Sequence, residues 1–356
     1  MEPRNQEKLI GHSDAEVDLI NALKSKRFHH AWILSGNRGI GKATLAYRLA
    51  RYILSDIKEN DEIKKNLNVP RDSDVFKRVA SSSHSDLMTI EREINEKGQL
   101  RSEIVVGDVR RINKFINLTP GESSWRIIII DESETLNRNA ENALLKYIEE
   151  PPDRTLFLLV TNSVTKLLPT TRSRCRQLTL NPLDPSDVKR FLLQLEICSK
   201  INSSDLDILV ELSEGSPGKA LNILNGEGVE LFKKISHLFS QLPEIHSVDL
   251  NFLTDQMSRK NGTEIFRLSS ELLLWLISKS IKASATNKFI ELEKLTGISQ
   301  QSALINSMNK NQSLDQWVEV WEKVNELFSG VEPLNMDRKQ SFCNAFKILS
   351  LAAQKP

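Results

Sequence analysis

The chain has 356 residues, of which 39% are hydrophobic. That length is enough for a substantial buried core and predicts roughly two or three domains. The 48 Lys and Arg residues nearly balance 47 Asp and Glu residues, which leaves a net charge of +1. This balance excludes a strong overall attraction to nucleic acid or to an anionic membrane, so contact with DNA would need a local patch or a partner.

The N-terminus and the apolar runs predict a cytoplasmic protein. The first residues, Met-Glu-Pro-Arg-Asn-Gln-Glu, lack the apolar core of a signal peptide, and the longest apolar run, Leu272 to Ile277, is too short to cross a bilayer. Cys175, Cys198 and Cys343 form no Cys-x-x-Cys pair, which argues against a disulfide framework and against a structural zinc site.

Short β-rich runs alternate with helical patterns in the first half of the chain. This alternation is typical of an α/β fold with a parallel sheet. The predicted strands are Ala31 to Ser35, Asp86 to Glu91, Arg126 to Asp131, Thr155 to Val160 and Arg176 to Leu180. A helix is predicted from Ala140 to Ile148, where apolar residues recur at helical spacing before Pro151 stops the pattern.

The strand pattern ends near Asn181, and the remainder of the chain is predicted to be helical. In that part Trp317, Trp321, Val324 and Phe328 fall on one helical face. The charge-rich stretch Asp56 to Lys65 predicts an exposed helix or loop. We therefore expect three domains, namely an α/β domain over residues 1–181, a small helical lid over 182–231 and an all-helical collar over 232–356.

A glycine-rich loop follows the first predicted strand and opens a helix. It reads Gly-Asn-Arg-Gly-Ile-Gly-Lys-Ala-Thr from Gly36 to Thr44, and this context is typical of a Walker A phosphate-binding loop. Its glycines let backbone N–H groups face phosphate, the helix N-terminus adds positive potential, and Lys42 reaches the terminal phosphates. The candidate nucleotide-binding residues of this loop are Gly36, Gly39, Gly41, Lys42 and Thr44.

The position after the lysine departs from the Walker A pattern. It is Ala43, whose methyl group cannot ligate Mg²⁺ as a Ser or Thr hydroxyl does. Thr44 is displaced by about 100° around the helix and would point away from the metal. We therefore expect ATP or ADP binding at a degenerate loop, a poorly held Mg²⁺, and weak or absent ATPase activity.

The third and fourth predicted strands end in polar residues. Asp131 is a candidate for the carboxylate near Mg²⁺. Glu132 is a candidate activator of water, or the vestige of one because Ala43 lacks the metal-binding hydroxyl. An ordinary buried strand followed by a solvated acidic loop would give the same pattern. Thr161 and Asn162 are candidate sensors of a γ-phosphate, and they also fit a simple loop.

Three arginines, Arg172, Arg174 and Arg176, precede or begin the last predicted strand. A guanidinium there could project across a subunit boundary and stabilise charge on a transferred phosphoryl group. By composition alone, such a segment is more often a solvated basic loop. Arg92 and other arginines that are scattered between acids predict solvated surface.

Three motifs resemble the clamp-loader branch of the AAA+ superfamily. They are Asn-Ala-Leu-Leu-Lys over 142–146, Glu-Glu-Pro-Pro over 149–152 and Ser-Arg-Cys over 173–175. The resemblance extends over the whole chain and implies a P-loop domain, a lid and a collar that holds a ring-shaped pentamer together. It also implies that Arg174 is an arginine finger that acts in trans on a neighbouring ATP site.

Within that branch, the Walker A segment resembles the delta-prime type found in alphaproteobacteria. So do the segments 84–87, 104–112 and 215–220. The resemblance implies a fixed subunit of the DNA polymerase III clamp loader, in a heteropentamer with gamma or tau and delta subunits. Its partners would include a sliding clamp and, mostly through the complex, primer-template DNA, with no membrane. Nothing in the chain resembles the nucleotidyltransferase site of a DNA-directed DNA polymerase.

The resemblance also defines two departures from the family pattern. Clamp-loader subunits often carry a four-cysteine zinc module, whereas the stretch Ser55 to Ser83 has no cysteine, so we expect no zinc. Lys219 stands where the lid sensor usually has arginine, which weakens its role in contacting γ-phosphate.

Two alternatives remain open. One is the gamma or tau ATPase motor of the same loader, which shares nearly every motif but needs the hydroxyl that Ala43 lacks. The other is a stand-alone AAA+ remodeller or helicase loader, which would assemble from identical copies.

Overall fold

The computed structural model describes residues 2–25, 28–55, 66–95, 98–118, 121, 123–195, 201–259, 262–286, 289–297 and 314–354. Cys198 and the charge-rich stretch Asp56 to Lys65 lie outside these residues. The chain divides into two compact units, Met1–Leu192 with Gly215–Gly218 and Leu193–Glu214 with Lys219–Pro356. The three-domain division with its boundaries at 181 and 231 stays a prediction.

The first unit is built on a five-stranded parallel sheet. Its strands are β1 Ala31–Ser35, β2 Leu87–Ile90, β3 Arg126–Ile130, β4 Thr155–Thr161 and β5 Arg176–Thr179. They lie in the order β2-β3-β4-β1-β5, and every neighbouring pair is parallel. All five predicted strands are confirmed, and β3 and β4 are continuous apolar runs because both of their faces are buried.

Helices cover the sheet. Those of the first unit are α1 Ser13–Lys24, α2 Lys42–Leu54, α3 Asp74–Ala80, α4 Val106–Asn117, α5 Arg138–Glu149, α6 Pro169–Ser173 and α7 Pro185–Leu193, which ends at the unit boundary. The predicted helix before Pro151 is confirmed as α5. Its start is capped by Asn137, whose side-chain oxygen accepts a hydrogen bond of 2.9 Å from Ala140 N. One core cluster joins α4 and α5 to the sheet through Ile112, Leu144 and Phe157.

The second unit contains only helices among its described residues. They are α8 Ser203–Ser213, α9 Pro217–Asn225, which begins in the last residues of the first unit, α10 Gly228–Ser240, α11 Ser247–Met257, α12 Gly262–Thr286, α13 Phe289–Thr296, α14 Leu314–Val331 and α15 Arg338–Gln354. Trp317 is fully buried, and Trp321 Nε1 donates to Leu274 O at 3.1 Å. The predicted tryptophan face therefore anchors α14 inside this unit. None of the helices in the described ranges is long and apolar enough to cross a bilayer.

Candidate functional site

The carboxyl ends of three neighbouring strands carry the candidate nucleotide site. The glycine loop begins at Gly36, directly after β1, while Asp131 follows β3 and Asn162 follows β4. Since β1 pairs with β4 and β4 pairs with β3, these residues lie at one edge of the sheet. That edge is where parallel α/β sheets bind their ligands.

The glycines of the loop are required by its backbone. Gly36, Gly39 and Gly41 have φ angles of +140°, +79° and +110°, in a region that other residues rarely adopt. A Cβ atom on Gly36 would stand 2.3 Å from Leu180 O. The loop leads directly into α2, so its amides and the helix N-terminus form the cradle that a phosphate group needs.

The segment 215–218 supports the loop from within the same unit. Gly218 N donates to Gly39 O at 2.9 Å, and Ser216 Oγ donates to Arg38 O at 2.7 Å. There is no room for a side chain at the first of these contacts, because a Cβ atom on Gly218 would lie 2.7 Å from Gly39 Cα. These contacts fix the conformation of the loop.

Lys42 is buried, with 5% of its surface exposed. Its Nζ donates to Gly36 O at 2.8 Å, to Asn37 O at 2.6 Å and to Asn162 Oδ1 at 2.8 Å. Burial lowers the pKa of Lys42 to about 8, and the nearby carboxylate of Glu134 opposes that shift. An ammonium group has three N–H donors, and all three have partners inside the protein.

The two predicted sensors behave differently. Asn162 links Lys42 to Glu134, because its Nδ2 donates to Glu134 Oε1 at 2.6 Å. Thr161 is fully buried, and its hydroxyl donates to Ser163 O at 3.1 Å. The structure therefore brings Asn162 to the lysine, whereas the Thr161 hydroxyl is used in a local turn.

The two acids after β3 also differ. Asp131 Oδ1 accepts a hydrogen bond of 2.9 Å from Glu132 N, and burial raises the pKa of Asp131 to about 6. Glu132 forms an ion pair with Arg92, with Nη2 and Oε2 2.6 Å apart. In this arrangement the carboxylate of Glu132 is neutralised by a cation of the same unit.

Sequence patterns missed Arg92 and Glu134. The prediction of solvated surface is wrong for Arg92, whose side chain is only 22% exposed and is paired with Glu132. Arg92 comes soon after the end of β2, and β2 is paired with β3 in the sheet. This position in the sequence could have predicted that Arg92 lies at the same edge of the sheet as Glu132. Glu134 lies in the short 3-10 turn Ser133–Thr135. The acidic run Asp-Glu-Ser-Glu, which ends at Glu134, was the signal in the sequence from which this residue could have been predicted.

The residues present fit a phosphate group better than they fit a bound Mg²⁺. Ala43 and Thr44 are both half-buried in the first turn of α2, and Ala43 offers no oxygen where the Walker A pattern has one. Within the described ranges, no cluster of three or more His, Cys, Asp or Glu side chains is arranged to hold a metal ion. Lys219, the predicted lid sensor, forms an ion pair of 2.6 Å with Glu214 in the second unit.

Arg174 lies at the opposite edge of the sheet from the glycine loop. It precedes β5, which runs parallel to β1, whereas the loop follows β1. The five residues of β1 separate the two edges by roughly 13 Å, at about 3.3 Å per residue. Arg174 is therefore too far from Lys42 to serve the loop of its own chain.

The three arginines of this segment have different surroundings. Arg172 is half-buried, and its Nε has no hydrogen-bond partner within the described part of the chain. The guanidinium of Arg176 lies over the Trp32 ring, 4.9 Å from its centroid. Arg174 is 41% exposed, with Nε 2.8 Å from Glu149 Oε1. Arg174 and Arg176 are both exposed, and Arg174 is the one of the two whose guanidinium is paired with a carboxylate.

The fold and the site define a P-loop protein of the AAA+ class, because the strand order, the loop between β1 and α2 and the acidic pair after β3 occur together. A family model described as "DNA polymerase III, delta subunit" matches residues 11–184.

Curated relatives are clamp-loader subunits by name. The chain is 27% identical over 330 residues to the DNA polymerase III subunit gamma of Buchnera aphidicola from Schizaphis graminum, covering 90% of this chain and 81% of that protein. It is 28% identical over 276 residues to the tau subunit of Escherichia coli K12, covering 76% of this chain and 40% of tau. A replication factor C small subunit of Methanococcus vannielii is 26% identical over 237 residues, covering 66% of this chain and 64% of that protein.

Two solved structures of Thermotoga maritima are also similar. A DNA polymerase III gamma subunit-related protein has a TM-score of 0.43 and 20% identity, covering 95% of this chain and 100% of that one. The RuvB branch migration motor has a TM-score of 0.41 and 17% identity, covering 90% of each chain. Both TM-scores are low, so the fold assignment depends on the sheet of the chain itself.

Together, the family model and the curated relatives support the clamp-loader family in the broad sense that covers delta, gamma and tau subunits. They do not support the narrower delta-prime resemblance, because the relatives carry gamma and tau names.

Proposed function

We propose that this chain is a DNA polymerase III clamp-loader subunit that supplies Arg174 to the ATP site of a neighbouring subunit and hydrolyses little ATP itself. The observation that carries the proposal is the position of Arg174 at the sheet edge opposite its own glycine loop. An exposed guanidinium that cannot reach its own loop is suited to a site on another chain. There it would stabilise charge on a transferred phosphoryl group.

Ala43 supports the second half of the proposal. A methyl group at the metal-ligand position leaves Mg²⁺ without one of its usual oxygens. The ion pair between Arg92 and Glu132 also occupies the carboxylate that would polarise water. In this proposal the loop cradles ATP or ADP through backbone amides and Lys42, while Asp131, Asn162 and Lys219 contribute little to turnover.

The proposed place of the chain is the fixed, delta-prime-like position of a heteropentamer with gamma or tau and delta subunits. A sliding clamp would be the substrate of the whole assembly, and primer-template DNA would be met mostly through the complex. The nearly neutral net charge of +1 supports this indirect contact with DNA.

A second candidate function is the gamma-type ATPase motor of the same loader. The observation in its favour is that the curated relatives are named gamma or tau. In that case the loop would hydrolyse ATP despite Ala43, and Lys42 would be essential for turnover.

DNA-stimulated ATPase activity of a reconstituted loader separates the two candidates. The loader would contain this chain together with the gamma or tau and delta subunits of its own organism, and only this chain would be changed. We expect Arg174→Ala to reduce turnover by about 100-fold or more at the neighbouring site, while Lys42→Ala leaves turnover nearly unchanged. Arg176→Ala is the matched control, because it removes the same charge from a guanidinium that stacks on Trp32.

The opposite pattern would establish the motor. If Lys42→Ala abolishes most of the activity and Arg174→Ala has little effect, the proposal is wrong. Size-exclusion chromatography of the chain alone adds a second check, because a ring of identical copies would contradict a single fixed position in a mixed pentamer.

A further inference from the structure

Glu149 ends α5 at the N-terminal edge of the sheet, where Arg174 also lies. Its Oε1 atom stands 2.8 Å from Arg174 Nε, and Arg174 Nη1 donates to Thr170 O at 3.1 Å. A guanidinium has five N–H donors in a planar fork. With Nε and Nη1 held, the two N–H groups of Nη2 have no hydrogen-bond partner in the described residues.

The backbone around this pair is held at several points. Glu141, near the start of α5, accepts a hydrogen bond of 2.7 Å from Leu168 N at the start of α6. Arg174 N donates to Thr171 O at 3.2 Å, and the neighbouring Cys175 packs against the core cluster. Helix α5, which ends at Glu149, and α6, which Arg174 directly follows, are thus joined at both ends of α5, and this reduces the freedom of the pair.

The position of Glu149 is unfavourable for α5 itself. Two acids, Glu149 and Glu150, stand at the helix C-terminus, where the macrodipole favours cations and disfavours carboxylates. Glu150 has no ion pair in the described residues, whereas Glu149 is compensated by Arg174. The benefit of a carboxylate at 149 therefore lies in its contact with the arginine and not in helix stability.

We propose that Glu149 is a positioning residue for Arg174, which holds the guanidinium so that Nη2 points to the phosphoryl group of a neighbouring subunit. This inference rests on the proposed function. Positioning matters because a displacement of about 1 Å in a catalytic group can cost about 100-fold in rate. A side chain as long as arginine otherwise samples many rotamers at an exposed position.

The first experiment observes the pair in the full chain alone. The ¹⁵Nε–¹Hε resonance of Arg174 is assigned by its loss in Arg174→Lys and then recorded in Glu149→Gln and Glu150→Gln. We expect Glu149→Gln to shift the resonance and accelerate its exchange with water, and Glu150→Gln to leave it in place. An unchanged resonance in Glu149→Gln would overturn the inference.

The second experiment measures kcat and KM for ATP in the reconstituted loader. We expect Glu149→Gln to lower kcat by about 5- to 20-fold with KM nearly unchanged, because only transition-state contacts weaken. Glu149→Asp should recover part of the loss, and Glu150→Gln should have no effect. In a chain that already carries Arg174→Ala, Glu149→Gln should reduce kcat no further.

The outcomes distinguish this inference from the proposed function. If Arg174→Ala lowers kcat but Glu149→Gln does not, the positioning role is wrong and the arginine finger stands. If Glu149→Gln lowers kcat equally with and without Arg174, the residue acts by another route and the inference is again wrong. If Arg174→Ala itself has no effect, the proposed function fails and the inference fails with it.

Discussion

The glycine loop and the Arg174 segment are two parts of one sheet with opposite properties. Around the loop, Lys42 is buried and all of its donors are bonded, and Gly36 has no room for a side chain. Arg174 is exposed and is held by the carboxylate of Glu149, by Thr170 O and, at 3.5 Å, by Ser173 Oγ. The loop is therefore fixed by contacts within its own unit, whereas the guanidinium of Arg174 lies at the surface. Four predictions test this contrast.

Gly36→Ala should have the largest effect on stability. Its Cβ atom would stand 2.3 Å from Leu180 O at a φ of +140°, so the loop and the end of β5 must shift apart. We expect a loss of about 3 kcal/mol or more in the free energy of unfolding, measured by urea denaturation.

Two glycines provide graded controls for Gly36→Ala. Gly98→Ala has a positive φ but no atom within 4 Å, and it should cost about 1 kcal/mol. Gly107→Ala, inside α4 with open space, should be neutral or slightly stabilising. Equal losses at all three positions would contradict the role given to the loop.

Asp131→Asn should stabilise the protein, with the full gain above about pH 6. The pKa of Asp131 is raised from 3.8 to about 6 in the folded protein, so its ionisation opposes folding as pH rises through that interval. Asparagine keeps the acceptor for Glu132 N and removes the buried charge. We expect a gain of about 2 kcal/mol at pH 8 and a smaller gain at pH 5. A variant that is less stable than wild type at pH 8 would refute this account.

Ala43→Ser should have a moderate effect on nucleotide binding. The serine hydroxyl supplies an oxygen ligand for Mg²⁺, which the methyl group of Ala43 lacks. We therefore expect the affinity for a fluorescent ATP analogue to rise about 5-fold, or about 1 kcal/mol. The gain should disappear when EDTA removes Mg²⁺. An equal gain without Mg²⁺ would show that the hydroxyl acts in some other way.

Arg174→Ala should have the smallest effect on stability of the four substitutions. Exposed ion pairs contribute about 0 to 1 kcal/mol, so the unfolding midpoint in urea should hardly change. A loss as large as that of Gly36→Ala would mean that Arg174 is a structural residue, and the contrast between the two regions would no longer hold.

Periodicity and composition predicted the sheet because its strands are buried. Each strand is a short apolar run whose burial depends on residues close together in sequence, and all five were located within one residue of their ends. The glycine loop could also be predicted from the sequence, because its glycines follow a strand and lead into a helix. Local pattern therefore gave the elements and the edge of the sheet at which the nucleotide site lies.

The partners of charged side chains could not be predicted from the sequence in the same way. Arg92 and Glu132 are 40 residues apart in sequence and meet because β2 and β3 are neighbours. Glu149 ends α5 and Arg174 directly follows α6, so only the packing of these two helices brings them together. A solvated charge and a paired charge have the same sequence pattern, so these pairs needed the tertiary structure.

The hydrogen bonds of Lys42 have a further consequence for ligand affinity. Its partners, Gly36 O, Asn37 O and Asn162 Oδ1, belong to the same chain and compete with a phosphate group at the high effective concentration of tethered groups. A nucleotide must therefore replace hydrogen bonds within the chain, and dilution of the protein does not weaken these bonds. Substitution of Asn162 removes one of these internal partners, so we expect the affinity of Lys42 for a phosphate group to rise although a residue of the site is lost.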